Sequence, residues 1–139
     1  MTEETTILSS FKSPRNSTVV LVDKSLNQLL LKQDGQFFKL YRVATGENNS
    51  TPVGTFKIIT KLPNPVWYKQ GAAVPPGSPD NVLGTRWMGI EKAGYGIHGS
   101  VDPSGIGKQV TAGCVRLNNP EVEELFAIVP MGTEVTIVD

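Results

Sequence analysis

The sequence predicts a mainly β domain, a sandwich or barrel-like arrangement with one short helix packed on its side. Three observations carry this. Short apolar and β-branched runs recur along the chain, separated by turn-forming stretches that draw on 14 glycines and 10 prolines. Only one segment, near the C-terminus, has helical periodicity. The 139 residues suffice for one domain with its own core, and no internal repeat divides them.

The elements are taken in chain order. Residues 1–17 are polar and read as a leader or an edge segment, with the domain proper over residues 18–139. Residues 18–22 form a β-branched apolar run suited to a buried strand. Residues 29–32 make a second strand, Asp34-Gly35 supplies a hairpin turn, and residues 37–43 return. Residues 46–54, rich in Asn, Ser, Pro and Gly, are a loop. Residues 56–62 alternate, with Phe56, Ile58, Thr60 and Leu62 facing one way and Lys57, Ile59 and Lys61 the other. Residues 63–80 hold five prolines and predict a long surface excursion, a feature that is often functional in small domains.

Residues 87–90 and 95–98 are short strands. In the second, Tyr95 and Ile97 share one face, so the imidazole of His98 is expected on the other, with Gly96. Residues 102–107 turn the chain back towards Cys114. The helix has Asn119 as its expected cap, Pro120 at its first position and Glu121 complementing the dipole. Val122, Leu125, Phe126 and Val129 form its apolar stripe, and Pro130 stops it. Residues 134–138 close the chain as a strand with Val135 and Ile137 inward.

Composition narrows the function classes. With 13 basic and 13 acidic residues, scattered rather than clustered, there is no electrostatic case for nucleic acid or for a membrane surface. The longest early apolar run, residues 19–22, is far too short to span a bilayer, and no secretory signal is visible. Either the protein is not exported by this route, or a leader or anchor lies outside this sequence. One cysteine allows neither an intramolecular disulfide nor a redox dithiol. One histidine and one cysteine supply only half of a tetrahedral zinc shell, so no metal and no cofactor is expected.

That cysteine, Cys114, and that histidine, His98, stand sixteen positions apart, each beside glycine. A thiol is mostly protonated at neutral pH, and an adjacent imidazole either takes its proton or pairs with the thiolate. Such a pair is the minimum for acyl transfer through a thioester. The backbone N–H groups of Gly113 and Cys114 are the candidate oxyanion hole, a contribution of roughly 3–4 kcal/mol per good donor. The plain alternative makes Cys114 a small buried hydrophobe and His98 a structural side chain.

The motifs His98-Gly99-Ser100 and Gly113-Cys114-Val115-Arg116-Leu117 resemble the signature of the L,D-transpeptidase (YkuD-type) catalytic domain. Supporting pieces are Thr45-Gly46, Thr51-Pro52-Val53-Gly54-Thr55-Phe56, Leu83-Gly84-Thr85-Arg86-Trp87-Met88, residues 118–129 and Gly132-Thr133-Glu134-Val135. The resemblance implies that residues 18–139 are a β-rich catalytic domain with the nucleophile in a tunnel-like cleft. It implies Cys114 as nucleophile, His98 as base and the Gly99 carbonyl as the group that orients the imidazole. The implied partners are two peptidoglycan stem peptides. The donor loses its terminal D-alanine to form a thioester, and the acceptor amine then takes the acyl group to make a 3–3 cross-link. Covalent inhibition by carbapenem β-lactams and a place in the cell envelope are also implied.

One departure stands out: where the family carries Ser/Thr-His-Gly-Cys, this chain has Thr111-Ala112-Gly113-Cys114. Further candidates each carry an alternative. Arg116 is placed to hold a substrate carboxylate or to make an ion pair. Thr111 and Ser100 are placed to bind the substrate peptide or to cap turns. Trp87 walls the cleft or fills the core, and Asn118 positions the cysteine loop or serves the helix start. The competing functions are an L,D-carboxypeptidase, which passes the acyl group to water, and a non-catalytic cell-wall binding relative.

Overall fold

The computed structural model describes residues 17–139. The strands are β1 (Thr18–Asp23), β2 (Gln28–Gln33), β3 (Gln36–Arg42), β4 (Thr45–Gly46), β5 (Gly54–Pro63), β6 (Trp67–Lys69), β7 (Ala72–Val74), β8 (Arg86–Ile90), β9 (Gly96–His98), β10 (Gln109–Thr111), β11 (Val115–Arg116) and β12 (Glu134–Val138). One helix, α1 (Asn119–Ile128), precedes β12. The polar leader expected over residues 1–17 lies outside the described residues, apart from Ser17.

Eight strands form one mixed sheet in the order β11-β9-β8-β5-β12-β1-β2-β3. The sheet curls until its ends meet. Ala44, two residues beyond β3, exchanges backbone hydrogen bonds with Arg116 in β11 at 2.8 and 2.9 Å. Next to that contact β4 pairs with β10. This mainly β, barrel-like closure, with a single α-helix among the described residues, is the expected class, and it satisfies backbone groups that open edges would expose.

Local chemistry explains the strands. Val20, Val22, Leu29, Leu31, Val135 and Ile137 alternate into the core. The β2–β3 turn puts Asp34 at φ 53° and Gly35 at φ 79°, the conformation that an Asp-Gly hairpin favours. In β5 the alternation predicted through Leu62 does not persist. Ile58 pairs with Ile90 but Thr60 with Gly89, so Ile59 is an extra residue. This bulge reverses the facing of the remainder of the strand, and Leu62 is left 47% exposed.

The helix buries Val122 and Leu125, with Val129 buried at its end, and packs against β8 and β9. The Tyr41 hydroxyl on β3 donates to Glu124 at 2.6 Å, so α1 also ties to the far end of the sheet. The N-cap is Asn118, not Asn119. Asn119 is already helical, and the Asn118 carbonyl accepts from Glu121 and Val122 N–H. At the other end the Lys61 ammonium donates to the Phe126 and Val129 carbonyls, both at 2.6 Å. These are orphan acceptors of a helix terminus. Lys61→Met keeps the apolar stem against Phe126 but removes both bonds. It is expected to cost roughly 1–2 kcal/mol in urea unfolding; no loss would show that these carbonyls do as well with water.

The proline-rich excursion is more ordered than predicted. It contains the hairpin β6–β7, turned at Gln70 (φ 50°) and Gly71 (φ 82°). The Asn81 amide donates to the carbonyls of Pro65 (2.9 Å), Val74 (3.2 Å) and Pro75 (3.2 Å), clasping the base of this arm.

Candidate active site

The site is built by strand register. β9 and β11 pair in parallel, with Ile97 opposite Val115 and His98 opposite Arg116. Cys114, one residue before β11, is thereby delivered beside β9. Its loop is fixed from within. The Thr111 hydroxyl donates to the Cys114 carbonyl at 2.7 Å and accepts from the Gly113 N–H at 3.1 Å. Gly113 has φ 137°, and a Cβ there would come within 2.6 Å of the Tyr95 ring. The missing side chain thus makes room for Tyr95, a reason different from the open path to substrate that the sequence suggested.

His98 is buried, and its Nδ1 lies 2.9 Å from the Gly99 carbonyl. A carbonyl only accepts, so Nδ1 carries the proton and Nε2 keeps its lone pair. Trp87, opposite His98 in β8, stacks on the imidazole at 6.1 Å between centroids and 27° between planes. Burial pushes the imidazole down to about 4; the Gly99 bond opposes this and the positive charge of Arg116 adds to it. Burial raises the Cys114 thiol above its ordinary value, partly offset by a backbone hydrogen bond from Gly96. The thiol points to the Gly94 carbonyl at 3.7 Å. The imidazole is therefore neutral near pH 7, the thiol is held towards its protonated form, and the hydrogen-bond partner of the thiol is the Gly94 carbonyl, not the imidazole.

Both groups line one cleft of about 930 Å³, together with Trp87, Tyr95, Thr111, Ala112 and Arg116. The arm contributes Val66, Trp67 and Tyr68 to the opposite wall. Tyr95 precedes β9 and so escapes its alternation, which is why it shares the cleft with His98 instead of facing away. Arg116 also lines a smaller neighbouring cavity of about 510 Å³. Its Nε is buried without a hydrogen-bond partner, and it makes no ion pair among the described residues.

The other sequence candidates sit differently. Ser100 lines the neighbouring cavity, where its hydroxyl accepts from the Asp102 N–H at 3.0 Å. The Thr111 hydroxyl is spent inside the cysteine loop, and Asn118 serves as the helix cap outside both cavities. The Gly113 N–H is committed to Thr111, while that of Cys114 meets no acceptor among the described residues. Tyr95, Tyr68 and Asn81 were not singled out from the sequence. The signal for the last two was the proline-rich excursion itself. Among the described residues no three His, Cys, Asp or Glu side chains cluster as metal ligands. No helix among them is long and apolar enough to cross a membrane.

The model of the L,D-transpeptidase catalytic domain, YkuD, matches residues 17–137. The chain belongs to the L,D-transpeptidase catalytic-domain family. It is 41% identical over 126 residues to YqjB of Bacillus subtilis, covering 86% of this chain and 70% of that protein. It is 38% identical over 119 residues to YkuD of Bacillus subtilis, covering 85% and 64%. Both relatives are named as L,D-transpeptidases. L,D-transpeptidase 3 of Mycobacterium tuberculosis, solved with a faropenem-derived adduct, superposes with TM-score 0.73 at 19% identity, covering 88% of this chain and 60% of that one. At that identity the likeness shows a shared L,D-transpeptidase fold. The chain spans about 60–70% of the length of these relatives.

Proposed function

We propose that this L,D-transpeptidase domain forms a thioester on Cys114 from a peptidoglycan stem peptide and passes the acyl group to the amine of a second stem, making a 3–3 cross-link. The observation that carries the reading is one cleft lined by both Cys114 and His98, with Nδ1 of the imidazole bound to the Gly99 carbonyl and Nε2 left as base.

These groups define the steps. His98 Nε2 takes the thiol proton as Sγ attacks the carbonyl carbon, so charge separates only as the C–S bond forms. The Cys114 N–H is the first donor to the oxyanion; the Gly113 N–H joins it when its bond to Thr111 is shared. As the C–N bond breaks, the imidazolium gives its proton to the departing D-alanine amine. The acceptor amine then attacks the thioester, His98 takes the amine proton, and the proton returns to sulfur as the C–S bond breaks. Arg116, which makes no ion pair among the described residues although its charge acts on Asp102, would bind a substrate carboxylate. Such pairing would also offset the positive charge that disfavours the imidazolium. Trp87 and Thr111 line the cleft that would hold the reacting bond, while Ser100 lines the neighbouring cavity that Arg116 also borders. This activity belongs at the cell envelope, where its substrate is.

Incubation of the purified protein with stem tetrapeptides, read by mass spectrometry, tests the reading. Linked dimers and a transient adduct on Cys114, both absent from Cys114→Ala, are the expected result. Shortened monomers alone would establish hydrolysis, and no product with an unmodified thiol would remove the enzymatic reading. A carbapenem adduct confined to Cys114 is expected in the same assay.

A further inference from the structure

The mechanism needs the Gly99 carbonyl to stay where it can accept from Nδ1 of His98. A carbonyl in a loop can rotate away, so something must fix that peptide. Backbone bonds hold its neighbours: Leu117 N–H to the His98 carbonyl at 2.9 Å, Gly99 N–H to the Leu83 carbonyl at 3.0 Å, and Asn119 N–H to the Ser100 carbonyl at 3.0 Å. None of these touches the Gly99 carbonyl itself.

What lies against it is the turn at Gly84-Thr85, where the Thr85 carbonyl accepts from the Asn64 N–H at 2.7 Å and the Thr85 N–H is held by one side chain. A Cβ on Gly84, which has φ 67°, would come within 2.7 Å of the Gly99 oxygen. The glycine is what lets the turn press on this carbonyl. A Cβ on Gly99 would in turn meet Val122 at 2.8 Å and the Asn119 amide carbon at 3.4 Å. Between these two glycines lies the Asn119 side chain. Its Oδ1 accepts from the Thr85 N–H at 3.0 Å and from the Thr85 hydroxyl at 3.3 Å. That hydroxyl has a single proton, shared with the Glu123 carboxylate one turn further along α1, the shorter contact at 2.7 Å.

We propose that Asn119 is a positioning residue for the base: by clamping Thr85 it holds the Gly84 turn against the Gly99 carbonyl, and so fixes the Nδ1–H tautomer of His98. The inference rests on the role given to His98 above. Asn119 works only as an acceptor in this clamp, so aspartate keeps its function and alanine removes it. The groups that share the cleft with His98 and carry or can carry charge are Arg116 from β11, Cys114 from its loop, Tyr95 before β9 and Tyr68 from β6. None of them is altered by these substitutions.

His98 is the only histidine, so histidine-selective 15N labelling reads its tautomer directly without substrate. The wild-type protein is expected to show a single Nδ1–H tautomer at pH 7. Asn119→Ala is expected to show mixed tautomers, with acylation of Cys114 slowed at least tenfold, and Asn119→Asp to restore both. Should Asn119→Ala fail to fold, Asn119→Leu, close in volume but without an acceptor, removes the same bonds and is read the same way. A wild-type tautomer in these clamp-deficient variants, whatever their stability, would overturn the proposal. Wild-type protein that keeps the single tautomer yet acylates nothing would instead count against the catalytic reading.

Discussion

His98→Gln is expected to slow acylation of Cys114 by roughly 10²–10⁴-fold at pH 7, the usual contribution of a positioned general base. The change of pH profile matters more than the size of the loss. In the wild-type domain the imidazole stays neutral down to about pH 4, so kcat/KM should be flat above pH 5 and fall below. In His98→Gln the thiol has no acceptor for its proton, and burial holds it above the ordinary thiol range. Its rate should therefore rise with pH well into the alkaline range and lose the acid limb. A preformed ion pair would behave differently. It would make Cys114 rapidly alkylated by iodoacetamide at pH 6, whereas the neutral pair predicts slow alkylation there. Stopped-flow acylation of both proteins between pH 4 and 10 checks this. A glutamine variant within tenfold of wild type at pH 7 would remove His98 from the role of base.

Much of this site was legible from residue types. A lone thiol and a lone imidazole beside glycines suggested the chemistry, and the cleft holds both. What brings them together was not legible. β11 has two residues and β4 two, and neither has a periodicity to read. They exist because β9 pairs with β11 and because the curled sheet meets itself at Ala44 and Arg116. Long-range pairing of this kind leaves no local signature. Strands β1, β2 and β12 were read at their places because apolar runs mark buried strands, and in β12 the inward pair Val135 and Ile137 was read because the core face dictates it. The alternation of β5 failed after Ile58 because a bulge changes facing without changing composition.

The helix start shows a similar limit. Asn118-Asn119-Pro120 offers two equivalent caps, and proline disfavours a helical residue before it, which pointed to Asn119. The structure moves the cap to Asn118 because the Asn119 side chain is used against Thr85. The proline-rich excursion was expected to matter, but its hairpin turn, Gln70-Gly71, lacks the Asn or Asp that usually announces one.

The burial that lowers the His98 imidazole also makes the fold sensitive to acid. In the unfolded chain His98 takes a proton near pH 6.5, but the folded protein refuses it until about pH 4. Between these values the unfolded state binds more protons, so stability rises with pH across the window and is lost as pH falls through it. Below pH 4 both states hold the proton and the loss levels off. The full span corresponds to about 3 kcal/mol, and lowering pH from 7 to 5 should cost roughly 2 kcal/mol. No other side chain in the sequence has an ordinary pKa between pH 5 and pH 7, because the chain has a single histidine. Asp23, Asp102 and Glu124, whose carboxyls are held below their usual range by hydrogen bonds, lose their contributions at lower pH. Urea unfolding at pH 7 and pH 5 separates these effects. Wild-type protein should lose stability between the two, while His98→Gln, whatever its absolute stability, should be nearly flat. Equal losses in both proteins would mean that the acid sensitivity arises elsewhere and that the imidazole is not held neutral by its burial.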